Sequence, residues 1–177
     1  SLVHTYRRTL LDIAALRFRA RSDLEWTLPA AGLPWFMALF GRDSILTSYA
    51  LLPFHAHLAA TTLETLAGLQ AKEYDDFRDA EPGKILHELR LGELSTLGET
   101  PHSPYYGTHD ATALFLVLLD EYERWTGDVE LVKRLEPAAR AALAWIRGPG
   151  DPDGDGYLEY RTRSPKGLVN QCWKDSQ

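Results

Sequence analysis

Side chains able to do chemistry fall into four groups along this chain of 177 residues. In the first, Phe40-Gly41-Arg42-Asp43-Ser44, a guanidinium sits beside a carboxylate shortly after Pro34-Trp35-Phe36. Such a set can hold a sugar, with an aromatic ring over the apolar C–H face and fixed charged groups on the hydroxyls. It can equally be a helix start capped by Asp43, with Arg42 paired to an acid. The second group, Glu81-Pro82-Gly83-Lys84-Ile85 with His87, Glu88, Arg90 and Glu93, is the densest run of ionisable side chains. In a buried cleft such neighbours shift one another's pKa values and become acids or bases, whereas in solvent they are ordinary loop charges.

The third group, Pro104-Tyr105-Tyr106-Gly107-Thr108-His109-Asp110, sets two phenol rings before a helix that Asp110 can cap, an arrangement suited to a ligand wall. The fourth, Asn170-Gln171-Cys172-Trp173-Lys174-Asp175-Ser176, puts a carboxyl two residues past a Trp. An indole that excludes water raises the pKa of a neighbouring carboxyl, which suits a general acid; the plainer alternative is a helix N-terminus stabilised by an Asp. Metal chemistry has weaker support. His87, His102 and His109 lack the His-x-x-x-His spacing of a zinc helix. Asp151, Asp153, Asp155 and Gly156 copy the first half of a calcium loop, but position 12 falls on Thr162 rather than a bidentate Glu. A turn nucleated by Asp and Gly is the expectation there, with structural calcium as the alternative.

The elements that position these groups read as helices. Leu2, Val3, Tyr6, Leu10, Ile13 and Leu16 recur at helical spacing and predict a first helix ending near Ser22. Asp43 or Ser44 caps a second, stopped at Pro53, and a third runs from about His55 to Ala71. Asp110 opens a fourth that ends at Gly127, and Asp128 caps a fifth interrupted near Pro137. Asp151 to Gly156 then predicts a turn, Tyr157 to Tyr160 a short strand completing a small β-turn or hairpin over 151–160, and Trp173 the start of a sixth helix. Long connections, from about Glu25 to Arg42, Glu73 to Thr108 and Gly148 to Trp173, alternate with very short ones at Pro53 to His55 and Gly127-Asp128. Helix pairs must therefore return quickly at one end and linger at the other, so the chemistry collects at one end. Loops of that length usually work or are disordered, and these hold too many Trp, Tyr and Phe for disorder.

A net charge of −6 argues against a nucleic-acid partner, and no apolar run reaches the roughly 20 residues of a membrane span. A neutral, hydroxyl-rich carbohydrate fits better. The single Cys172 excludes an intrachain disulfide framework and leaves a reducing compartment, by default the cytoplasm, as the expected location. The last residues stop inside a motif-like stretch, which reads as a piece of a longer chain.

Taken in order, Phe40 to Ser44, Glu81 to Ile85 with His87-Glu88, Tyr105 to Thr108 with Asp110, and Trp173 to Ser176 resemble the six-hairpin glycosidases. The likeness is to bacterial proteins related to the amylo-alpha-1,6-glucosidase part of glycogen debranching enzyme. It implies an all-α (α/α)6 barrel, with residues 1–177 as the N-terminal half of one catalytic domain and a site in the funnel made by loops at one end. It further implies inverting hydrolysis of an alpha-linked glucoside without a cofactor. Asp175 matches the general acid, and the general base lies beyond Gln177. Arg42 and Asp43 match a pair that grips sugar hydroxyls. Trp35, Tyr105, Tyr106 and Trp173 become ring-stacking walls, and Glu81, Lys84, His87, Glu88 and Asp110 line the funnel. Cys172 departs from the small residue usual beside the acid. Rival readings are a sugar epimerase or phosphorylase on the same barrel, and a non-catalytic carbohydrate-binding protein. A half barrel would also expose apolar flanks at Leu10, Leu51 or Leu66.

Overall fold

The computed structural model describes residues 1–19 and 27–172. Helix α1 spans Leu2–Ala15, α2 Gly41–Gly68, α3 Glu93–Thr96, α4 Ala111–Thr126 and α5 Val129–Ile146. Four two-residue strands accompany them: β1 Arg17–Phe18 pairs antiparallel with β2 Leu28–Pro29, and β3 Leu39–Phe40 with β4 Glu88–Leu89. The protein is thus mainly helical, and its described residues do not close a barrel. Among them no helix is long and apolar enough to cross a membrane.

Although α2 runs from Gly41 to Gly68 as one span, it is two helices joined at a kink and forms a hairpin. His55 adopts φ −154° and ψ 56°, outside the helical range, two residues after Pro53 removes an amide donor. The hydroxyls of Ser48 and Thr62 then meet at 2.9 Å. In a straight helix, 14 residues would separate them by about 21 Å. The arms 41–54 and 56–68 therefore run antiparallel, as the short turn at Pro53 to His55 predicts. Gly127, at φ 69°, ends α4, and the Asp128 carboxylate caps α5 by accepting from the Leu131 amide at 3.1 Å. This second hairpin packs on the first. Leu63, Leu66, Phe115 and Leu118 are wholly buried between them, so Leu66 is core and not an exposed flank.

Several expectations are corrected. The first helix ends at Ala15, because Arg17 and Phe18 pair with Pro29 and Leu28 and carry the chain into extended conformation. Pro137 lies inside an unbroken α5. Asp43 and Ser44 sit within the first turn of α2, whose N-cap position is Phe40. Tyr157 to Tyr160 form no strand; the turn before them closes with one main-chain bond, from the Glu159 amide to the Gly150 carbonyl at 2.9 Å.

The two hairpins bring the starts of α2 and α4 and the ends of α2 and α5 to one end, where the long connections gather. Residues 83–90 lie across that end. Gly41 donates its amide to the His87 carbonyl at 2.8 Å, and the Ile85 amide donates to Thr112 Oγ1 at 2.9 Å. Gly83, at φ 92°, is required for this course: a Cβ there would stand 2.1 Å from the Ala141 carbonyl oxygen of α5.

Candidate functional site

At the start of α2, Arg42 is buried and forks onto Asp110, from Nε to Oδ2 at 2.5 Å and from Nη2 to Oδ1 at 3.2 Å. Its Nη2 also reaches the Cys172 carbonyl at 3.3 Å. Asp110 occupies the N-cap position of α4 but caps nothing, since its carboxylate serves Arg42 and the Thr108 hydroxyl (2.8 Å). A two-bond fork to a carboxylate is the stronger use of that oxygen pair. Beside it, His109 donates from its amide and from Nδ1 to the Gln171 carbonyl, at 3.3 and 2.9 Å. The third long connection is thereby clamped to the starts of two helices.

Glu81 accepts from Trp145 Nε1 at 2.7 Å and from Arg163 Nη2 at 2.8 Å. Near it, Lys84 is buried with its ammonium 5.4 Å from the centre of the Trp145 ring and 3.5 Å from the Asp79 carbonyl. Burial lowers its pKa, against the opposing pull of Glu81 and Asp79.

On the other side of Tyr105 lies a second ionisable cluster. Glu88 is buried, accepts from Arg90 Nε at 2.6 Å, and has His102 Nε2 at 3.3 Å from its other oxygen. Burial lowers the His102 pKa more than Glu88 raises it. Arg90 covers the rings of Phe36 and Phe40, and the buried His87 ring stands edge-on to Phe40 and Tyr105 at 5.5 and 6.1 Å. Arg90 and His102 open into a cleft of about 570 Å³ that also involves Ser95, Thr100 and Leu94, with Trp35, 79% exposed, at its edge. A large exposed ring lining the same cleft as guanidinium and imidazole groups is a surface a sugar can lie on.

Tyr105 and Tyr106 are struts and offer no face to a ligand. Tyr105 is wholly buried, and its hydroxyl donates to Asp79 Oδ2 at 2.8 Å while accepting from the Leu168 amide at 2.7 Å. Burial, reinforced by Asp79, raises its pKa. Tyr106 donates to the Leu69 carbonyl at 2.6 Å, and burial pushes its phenol up to about 12.

Asp79, which sequence reasoning passed over, is the hub of this end. Five donors converge on its carboxylate: Tyr105, Thr162 and Gln171 side chains and the Arg163 and Ser164 amides. It stands among Glu73, Asp75, Asp76 and Glu81, and no spacing or composition signal separates it from them.

The carboxylates of Asp151, Asp153 and Asp155 have oxygens within 4.8 Å of one another and could hold a metal ion. Asp151 Oδ1 is buried without a partner, while its Oδ2 accepts from the Gly156 amide at 3.1 Å. Glu159 nearby has its pKa raised, first by Asp153. Thr162, at the twelfth position, gives its hydroxyl to Asp79 at 3.2 Å, so the loop is not completed as an EF-hand.

The candidates Arg42, Asp43, Glu81, Lys84, His87, Glu88, Tyr105, Tyr106 and Asp110 thus share one end of the hairpins, and Trp35 edges the adjoining cleft. Trp173 and Asp175 lie outside the described residues. No protein-family model matches the chain, and no curated protein matches it.

Proposed function

We propose that this chain belongs to an inverting glycoside hydrolase of the six-hairpin kind, acting on an alpha-linked glucoside. The observation that carries the reading is the gathering of the described parts of the three long connections at one end of two helix hairpins, with Arg42 holding the Cys172 carbonyl three residues before Asp175 in the sequence. Paired hairpins are the building unit of an (α/α)6 barrel. The order of motifs along the chain supports the same reading, as does the largely apolar Trp35 cleft with Arg90 and His102 among its walls.

In this reading Asp175 protonates the glycosidic oxygen as the C1–O bond breaks. A second carboxylate takes a proton from the water that attacks C1 from the opposite face, and the two carboxyl groups stand roughly 6.5 to 9.5 Å apart to admit that water. Arg42, committed to Asp110, holds the acid's segment; Asp43 keeps the hydroxyl-binding role that the resemblance gives it.

The test uses the natural full-length protein with alpha-1,6- and alpha-1,4-linked glucosides and NMR of the first-formed anomer. Inversion releases beta-glucose first. Asp175→Asn is expected to lower kcat by at least about a hundredfold, the scale of lost acid catalysis. Near-normal turnover by that variant, or an epimerised product, ends the proposal.

A further inference from the structure

We infer that Asp79 is a positioning residue: its buried carboxylate pins residues 162–171 onto the loop end of the helices and so anchors the stretch of chain leading into Asp175. The inference rests on the glycosidase reading above. Burying a carboxylate is unfavourable unless its oxygens are well partnered, and Asp79 is only 3% exposed.

The partners account for it. Oδ1 accepts from the amides of Arg163 (2.6 Å) and Ser164 (2.9 Å). Oδ2 accepts from the Tyr105 hydroxyl (2.8 Å), Gln171 Nε2 (3.0 Å) and Thr162 Oγ1 (3.2 Å). A carboxylate has about four lone-pair sites, so this one is saturated and has nothing left for a ligand. Asp79 therefore acts through the chain it holds. Its own backbone is left-handed, at φ 49°, a conformation for which Asp and Asn are the best-suited residues after Gly.

What it holds is specific. The segment can approach this closely because residue 167 is glycine; a Cβ there would lie 2.6 Å from the Tyr105 hydroxyl oxygen and 2.8 Å from Asp79 Oδ2. Gln171 binds Asp79 through its buried side chain and His109 through its carbonyl, and the next carbonyl, of Cys172, takes Arg42. Asp175 is three residues further along the sequence, outside the described residues. Misplacement of an acid by about 1 Å is enough to lower turnover a hundredfold. Neither Arg42 nor His109 fixes residues 162–168; the Asp79 carboxylate and the Tyr105 hydroxyl hold their backbone amides, beside the Ser164 hydroxyl on the Phe77 carbonyl (2.6 Å), Arg163 on Glu81 (2.8 Å) and Lys166 on the Glu99 carbonyl (2.8 Å).

Asp79→Asn and Gln171→Leu in the natural full-length protein test this. Asn tolerates the left-handed backbone and keeps one acceptor oxygen for the two amides, but turns a donor toward Gln171 and Thr162. The expected results for Asp79→Asn are at least about tenfold faster amide exchange at 163, 164 and 168 with α4 unchanged, and kcat lowered at least about tenfold with KM within about twofold. The limb of the pH profile that reports the acid should move with kcat, and Gln171→Leu should give the same pattern more weakly. Unaltered exchange overturns the inference, as does lost protection with kcat and pH profile intact. If Asp79→Asn does not fold, Gln171→Leu decides by the same readouts. Absence of hydrolysis by the wild-type protein ends the glycosidase reading instead, and exchange alone then decides whether Asp79 is the pin.

Discussion

Buried polar side chains at the loop end differ in how well they are satisfied, and that difference sets what substitution will do. Lys84 has one long hydrogen bond and a ring contact for an ammonium that burial disfavours. Lys84→Met keeps the stem and removes the charge, so the melting temperature should hold or rise while kcat/KM falls at least about tenfold if the ammonium serves the site. A drop in both, measured by calorimetry and by hydrolysis, would make Lys84 structural. Tyr106 is the opposite case. Its phenol is raised from the ordinary 10 to about 12, so the unfolded chain ionises first. Stability from this group is complete below pH 10 and is lost as pH rises toward 12, by about 2 to 3 kcal/mol. Tyr106→Phe should be less stable at pH 8 by about 0.5 to 1.5 kcal/mol, the worth of one hydrogen bond. It should also lose less between pH 10 and 12 in urea titrations; parallel curves for the two proteins would count against the buried phenol. Residue types at these positions were legible in the sequence, but their partners were not. Asp110 reads as a cap and is a clamp for Arg42, and Tyr105 reads as a wall and is a strut for Asp79, because a hydrogen-bond partner 68 or 26 positions away leaves no trace in local spacing.

Elements were easier to read where one residue imposes the geometry. Pro53 and Gly127 mark the two tight returns. Two-residue strands such as β3 and β4 have too little length to show a period, and α3 is a single turn. The hairpin of α2 makes its own prediction. Ser48 and Thr62 are both wholly buried and bond to each other across the arms. Ser48→Ala strands a buried hydroxyl and should cost about 1 to 3 kcal/mol, whereas Ser48→Ala with Thr62→Val should cost less than the two single changes together. Additive values in urea unfolding would mean that the arms do not meet there. Gly83→Ala probes the seam between residues 83–90 and α5. Left-handed φ and a carbonyl oxygen 2.1 Å from the new Cβ should together lower stability by at least about 2 kcal/mol.

Across the whole molecule, cohesion is unevenly shared. The core lies where α2, α4 and α5 meet beneath residues 83–90, and Ile85, Leu86, Phe115 and Leu118 there are all fully buried. Helix α1 has the apolar periodicity of a core helix yet buries no residue; Leu2 is 89% exposed, and the groove of about 500 Å³ that α1 forms with the first arm of α2 is open. Periodicity reports which face of a helix is apolar but says nothing of whether a partner covers it, which is why α1 looked as firmly placed as α4 in the sequence. An isolated helix of 14 residues is marginal in water. Without buried side chains, α1 should therefore open locally while α4 opens only with global unfolding. Native-state hydrogen exchange on this chain should find the amides of Leu10 and Leu11 exchanging at least about a hundredfold faster than those of Leu118 and Leu119, and the gap should narrow as denaturant lowers global stability. Equal protection of the two helices would show that α1 is held by something other than its contacts with α2, and would move the boundary of the cooperative core out to residue 2.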